Sequence, residues 1–127
     1  MAQDRSAATR AAFAAAFAED VALHASVLRR PIIGPAEVYS FFEASRTMYD
    51  AISFTHETRA GSRVCLEWEG RFQGADIGGA TVLWFDTDGA IKSIQLYHRP
   101  YDQVLAYAAE LARRLGGKPP ASTTTPK

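Results

Sequence analysis

One cysteine, Cys65, stands in a chain of 127 residues. A lone thiol cannot close an internal disulfide, and no Cys/His spacing suits zinc, so the sequence predicts no structural metal and a reducing, cytoplasmic setting. A charge excess is also missing: 14 Lys and Arg balance 14 Asp and Glu. No global field draws such a chain to nucleic acid or anionic lipid, and the pairs Arg29–Arg30 and Arg113–Arg114 are too small to create one. No apolar run approaches the ~20 residues that cross a bilayer. Neither nucleic acid nor membrane is expected as a partner. The apolar stretch from Ala11 to Ala18 superficially resembles a secretion signal. It is short and Ala-rich, Asp4 sits in the supposed positive region, and Phe13 and Phe17 fall one helical turn apart, which predicts an amphipathic first helix instead.

What the chain does have is enough apolar material for one core: 47% hydrophobic, 11% aromatic and 22% charged residues. A chain of this size buries roughly two-thirds of its unfolded surface. A single domain over residues 1–116 is expected, with Gly116–Gly117 ending a helix and 117–127, rich in Pro and Thr, forming a flexible tail. After the first helix, Val21 to Val27 reads as a strand. Pro35 suits the first turn of a second helix, in which Val38, Phe41, Phe42, Ser45, Met48 and Tyr49 follow three-four spacing. From Ala51 the period becomes two, and Gly61–Ser62 turns Ile52–Thr58 back into Arg63–Glu69 as a hairpin. The Gly70–Gly79 stretch predicts a turn or bulge before a strand from Ala80 to Phe85. Asp88–Gly89 then pairs that strand with Ile91–His98. A last helix starts near Pro100, with Tyr101, Val104, Leu105, Ala108, Leu111, Ala112 and Leu115 as its apolar face. The sum is an α+β fold, a strongly curved antiparallel sheet with about three helices on its concave side.

Four segments carry a family resemblance: Phe17-Ala-Glu-Asp-Val-Ala-Leu-His24, Gly34-Pro-Ala-Glu-Val-Tyr-Ser-Phe-Phe42, Leu66-Glu-Trp-Glu-Gly70, and Trp84-Phe-Asp-Thr-Asp-Gly-Ala-Ile-Lys-Ser-Ile94 with Arg99–Pro100. They resemble the NTF2-like superfamily, in particular its SnoaL-like and ketosteroid-isomerase-like branches. The resemblance runs from about Ala11 to Leu115. It implies a cone-shaped fold, a deep pocket between sheet and helices, and a homodimer through the outer sheet face, without fixing a reaction. Carried over segment by segment, the isomerases' carboxylate base falls on Ala25 and their acidic oxyanion donor on Thr81. The helix bearing the tyrosine donor has no counterpart, so isomerase chemistry of that kind is not expected.

His98 is the strongest polar candidate, because alternation from Ile94 through Leu96 places it on the apolar face. An imidazole there suits an acid/base role, and equally a core histidine bonded to backbone. Thr81 falls across from His98 with Leu83 on its face. Tyr39, Phe41, Phe42, Tyr49, Leu66 and Trp68 supply apolar lining, and Asp76 either orients His98 or decorates a turn. His24 reads as facing away from the pocket, and His56 as sharing a face with Ile52 and Phe54. No spacing among the three histidines suits a metal. Glu67, Glu69 and Cys65 alternate outward. The functional expectation is a mostly apolar pocket for a hydrophobic or ring-containing small molecule, anchored by His98 and Thr81. Any chemistry would be cofactor-free isomerase, cyclase, dehydratase or hydrolase chemistry with His98 moving the proton. The alternative is a non-catalytic dimerisation or partner-binding domain whose pocket is filled by side chains.

Overall fold

The computed structural model describes residues 16–115. Within them run β1 (Phe17–Ala25), β2 (Ile32–Ile33), α1 (Pro35–Arg46), β3 (Ala51–Ala60), β4 (Arg63–Phe72), β5 (Ala75–Phe85), β6 (Ile91–Arg99) and α2 (Tyr101–Arg114). The strands form one curved sheet in the order β2-β1-β6-β5-β4-β3. Every pairing is antiparallel except that of β1 with β6, so the sheet is mixed. Parallel neighbours need a long crossover, and here α1 and the β3-β4-β5 meander lie between the two strands.

Two helices are found among the described residues, against about three expected. The proposed first helix, Ala11 to Ala18, lies outside those residues up to position 15, as does the expected tail. Its end is a strand. Phe17 pairs with Ile91 and is buried, so pairing with a distant strand overrides the local helical spacing. The strand expected at Val21–Val27 accordingly starts and ends earlier, as β1.

The core lies between the sheet's concave face and the two helices. Val21, Leu23 and Ile94 meet Val38 and Phe41 of α1 and Tyr107 and Leu111 of α2, all fully buried or nearly so. Each aliphatic side chain of this kind contributes about 1.5–3 kcal/mol through burial. On α2 the buried stripe includes Tyr107, while Tyr101 and Leu105, expected inside, are exposed. Both stripes keep the 3.6-residue period; docking on the sheet turns the buried face of the helix toward Tyr107 and away from Leu105.

Two local features set which side chains enter the cup. Gln73 and Gly74 have φ of 53° and 81°, a two-residue hairpin turn of the primed kind. β5 therefore begins at Ala75 rather than Ala80, and it pairs with β4 from Ala75 to Trp84. In β3, the register slips between Phe54 and His56, which pairs with Glu67. The extra residue, Thr55, is a bulge; its hydroxyl donates to the Glu67 carbonyl oxygen at 3.2 Å. The bulge reverses the alternation, so His56 lies on the outer face beside Glu67 (3.8 Å), not with Ile52 and Phe54. No helix among the described residues is long and apolar enough to cross a membrane.

Candidate functional site

The concave face of the sheet and α1 enclose a cavity of about 420 Å³ with an almost wholly apolar wall. Its size falls in the range of small-molecule sites. From α1 come Tyr39, Phe42 and Ser45, with Glu43 and Arg46 bonded to each other at 3.2 Å, and Tyr49 follows the helix. Ile52 and Phe54 of β3 form one side and stay substantially exposed. Leu66 and Trp68, Thr81 and Leu83, and Leu96 and His98 come from β4, β5 and β6 in turn. These pairs share a face because each skips one residue along a strand.

His98 points into the cup, at the end of the Ile94–Leu96–His98 row. Its partner across the ladder is Gly79. A Cβ built on Gly79 would run into the Tyr97 carbonyl oxygen and sit 2.9 Å from Trp68 Cζ2, so the close approach of both needs glycine there. Trp68 meets the His98 ring edge-on, with centroids 5.6 Å apart, and Tyr107 meets the ring's other neighbourhood at 5.4 Å. The imidazole is largely desolvated, which pushes its pKa down from 6.5 to about 4, so it is neutral at pH 7. Its Nδ1 is sealed off and has no hydrogen-bond partner. The His98 backbone N–H donates to Ser26 Oγ at 3.1 Å, and Ser26 Oγ donates to the Leu96 carbonyl, which ties the end of β6 to the residue after β1.

Tyr107 is fully buried, and its hydroxyl also has no partner in hydrogen-bond geometry. Burial pushes the Tyr49 and Tyr107 phenols well above their usual range, so both remain protonated. The site thus has a floor of neutral polar groups and charge only on Glu43 and Arg46.

Most residues expected in the site are gathered at this cavity, with two exceptions. Phe41 is turned into the core, 1% exposed, and meets Phe42 edge-on at 5.4 Å. Adjacent helix positions are about 100° apart, so Phe41 and Phe42 cannot both face the cup. Asp76 lies on the outer face, its side chain 87% exposed, taking a 3.0 Å bond from Arg71. It is the second residue of β5, just after the Gln73–Gly74 turn, and does not orient His98. His24, opposite Gln95, also faces outward. Sequence reading missed Glu43, Ser45, Arg46, Ile52, Phe54 and Leu96 as lining residues. Ser45 in the helical stripe and Leu96 on the His98 face carried a periodicity signal; the charged pair carried none. Among the described residues, no group of three or more His, Cys, Asp or Glu side chains could hold a metal ion.

No protein-family model matches the sequence, and no curated protein sequence matches it. Solved structures do. An uncharacterised protein with a cystatin-like fold from Silicibacter pomeroyi superposes with a TM-score of 0.81 at 18% identity, covering 86% of this chain and 77% of that one. A steroid delta-isomerase from Pseudomonas aeruginosa gives 0.80 at 21% identity, covering 85% and 80%. A protein of the SnoaL-like family from Agrobacterium tumefaciens gives 0.58 at 20%, covering 72% and 80%. The described chain therefore has the NTF2-like α+β cone, the fold of SnoaL-like and ketosteroid-isomerase-like structures.

Proposed function

We propose that this domain binds an uncharged, largely apolar, ring-containing small molecule in the cup, with His98 and Thr81 as its polar anchors. The observation that carries this reading is the cavity itself: about 420 Å³ bounded by aromatic and aliphatic side chains, with a neutral imidazole inside. A hollow interior argues against the alternative of a pocket filled by its own side chains. Likeness to a steroid delta-isomerase supports a small-molecule ligand but not that reaction, since Ala25 and Thr81 stand where a base and an acid would be needed. Proton transfer by His98 without a cofactor remains the chemistry the site suits. An imidazole with so low a proton affinity is a weak base, so binding is the primary role.

A thermal-shift screen of fused-ring and alicyclic compounds tests this. A subset should raise the melting temperature of the wild type, and Leu83→Trp, which fills the cup, should abolish the rise while remaining folded. A wild-type protein stabilised by none of them, or a Leu83→Trp protein stabilised equally, would overturn the reading.

We also propose that the outer sheet face takes a second copy of the chain. Tyr97 is 53% exposed beside Ala80 and Val82, and Arg63 lies 4.9 Å over Trp84. Both charge signs border this strip, with Glu67 and Glu69 on β4 and Arg99 on β6, and a two-fold axis pairs such a surface with itself. Light scattering coupled to size exclusion should give twice the chain mass for the wild type and the chain mass for Tyr97→Glu. A wild-type monomer would sink the proposal.

A further inference from the structure

Ile52 at 43% and Phe54 at 62% are large apolar side chains that the fold leaves exposed, yet both line the cup. They stand on β3, an edge of the sheet, with no further strand beyond them among the described residues. Phe54 pairs with Trp68, Trp68 with Gly79 and Gly79 with His98, which makes one row across four strands from the lip of the cup to the imidazole. Three inter-strand spacings give that row a length of about 14 Å. Only its inner end is polar.

Charge bounds the lip on both sides. Glu43 and Arg46 of α1 line the same cavity and are bonded to each other at 3.2 Å. Beyond the Thr55 bulge, Glu57 and Arg59 take over the concave side of β3, opposite Leu66 and Val64, and lie 3.6 Å apart. Each pair neutralises itself, so neither requires a charged ligand. Ile52 and Phe54 form an apolar gap between the two pairs, continuous with the wall of the cup. Apolar residues scattered singly over a surface need no explanation, but two that prolong a cavity wall mark a surface covered in use. They are too few for a protein partner, whose stable interface takes about 800 Å² on each side.

We propose that the lip takes the far end of the molecule that fills the cup: the ligand is an elongated, uncharged amphiphile about 14 Å long, with a neutral polar group at His98, a ring beside Trp68 and an aliphatic chain leaving across Phe54 and Ile52. This rests on the cup being the ligand site and adds the direction in which the ligand lies.

Isothermal titration of the full chain with 4-ethyl-, 4-butyl- and 4-hexylbenzyl alcohol tests this, because hydroxyl and chain point in opposite directions. 2-Hexylbenzyl alcohol is the control, equal in composition to the longest member but with the chain beside the hydroxyl. A methylene buried on every side is worth about fourfold in affinity, and the lip covers one side, so about twofold per methylene is expected. The 4-hexyl compound should bind the wild type about tenfold or more tighter than the 4-ethyl compound, and the 2-hexyl isomer should not share the gain. Phe54→Ser, a change at an exposed position, should fold normally and reduce the hexyl-to-ethyl ratio to about threefold or less. Equal affinities along the series, a 2-hexyl isomer as tight as the 4-hexyl one, or a ratio untouched by Phe54→Ser would overturn the proposal and leave the cup reading standing. Binding of no member overturns both. No gain from the chain, together with a light-scattering mass that falls in Phe54→Ser, would give the lip to a second copy instead and also overturn it.

Discussion

Gly79 and His98 face each other across β5 and β6, and the Trp68 indole occupies the space that a side chain at Gly79 would need. The position of the imidazole in the cup thus depends on a glycine that touches no ligand.

Gly79→Ala should cost about 1–3 kcal/mol, the usual penalty for forcing extra atoms into a packed site, because the added Cβ meets Trp68 Cζ2 at 2.9 Å and runs into the Tyr97 carbonyl. Urea unfolding measures it. A variant as stable as the wild type would show that the Tyr97 backbone and Trp68 can both give way without loss.

Stability should fall as the solution is acidified from about pH 6.5 toward pH 4. The unfolded imidazole takes a proton near 6.5 and the folded one only near 4, so within that window the unfolded chain binds more protons and acid favours unfolding. Full depression corresponds to a loss on the order of 3 kcal/mol. Denaturation midpoints across the window should decline for the wild type and stay flatter for His98→Leu. Parallel curves for the two proteins would count against a buried neutral His98.

Phe41 and Phe42 should separate stability from binding. Phe41→Ala removes a fully buried ring and should cost about 3–5 kcal/mol, whereas Phe42→Ala should cost less and weaken ligand binding more. Asp76→Ala should change stability by about 0.5 kcal/mol at most and leave binding alone, as expected for an exposed residue. Denaturation and ligand titration on the three variants check this pattern, and weaker binding by Asp76→Ala would contradict the placement of that residue.

One edge of the sheet is β3, exposed along its whole length among the described residues. Exposed edge strands invite pairing with other chains unless bulges and charges interrupt them. Here the Thr55 bulge and the charges of Glu57 and Arg59, which pair with Leu66 and Val64 of the concave face, do so. Glu57→Val with Arg59→Val should raise light scattering at micromolar concentration. A clear solution would mean that the bulge alone suffices.

The sequence by itself determined most of the element types and the side of the sheet on which most residues lie. Period two brought Leu66, Trp68, Thr81, Leu83 and His98 to one face, and the three-four spacing of α1 did the same for Tyr39, Phe42 and Tyr49, because these periodicities are properties of the local backbone. Only the tertiary structure decided the rest. The Thr55 bulge reversed His56, pairing with β6 made Phe17 part of a strand, and the packing of α2 brought Tyr107 against His98. Each depends on what packs opposite rather than on the segment's own spacing, and no local period records it.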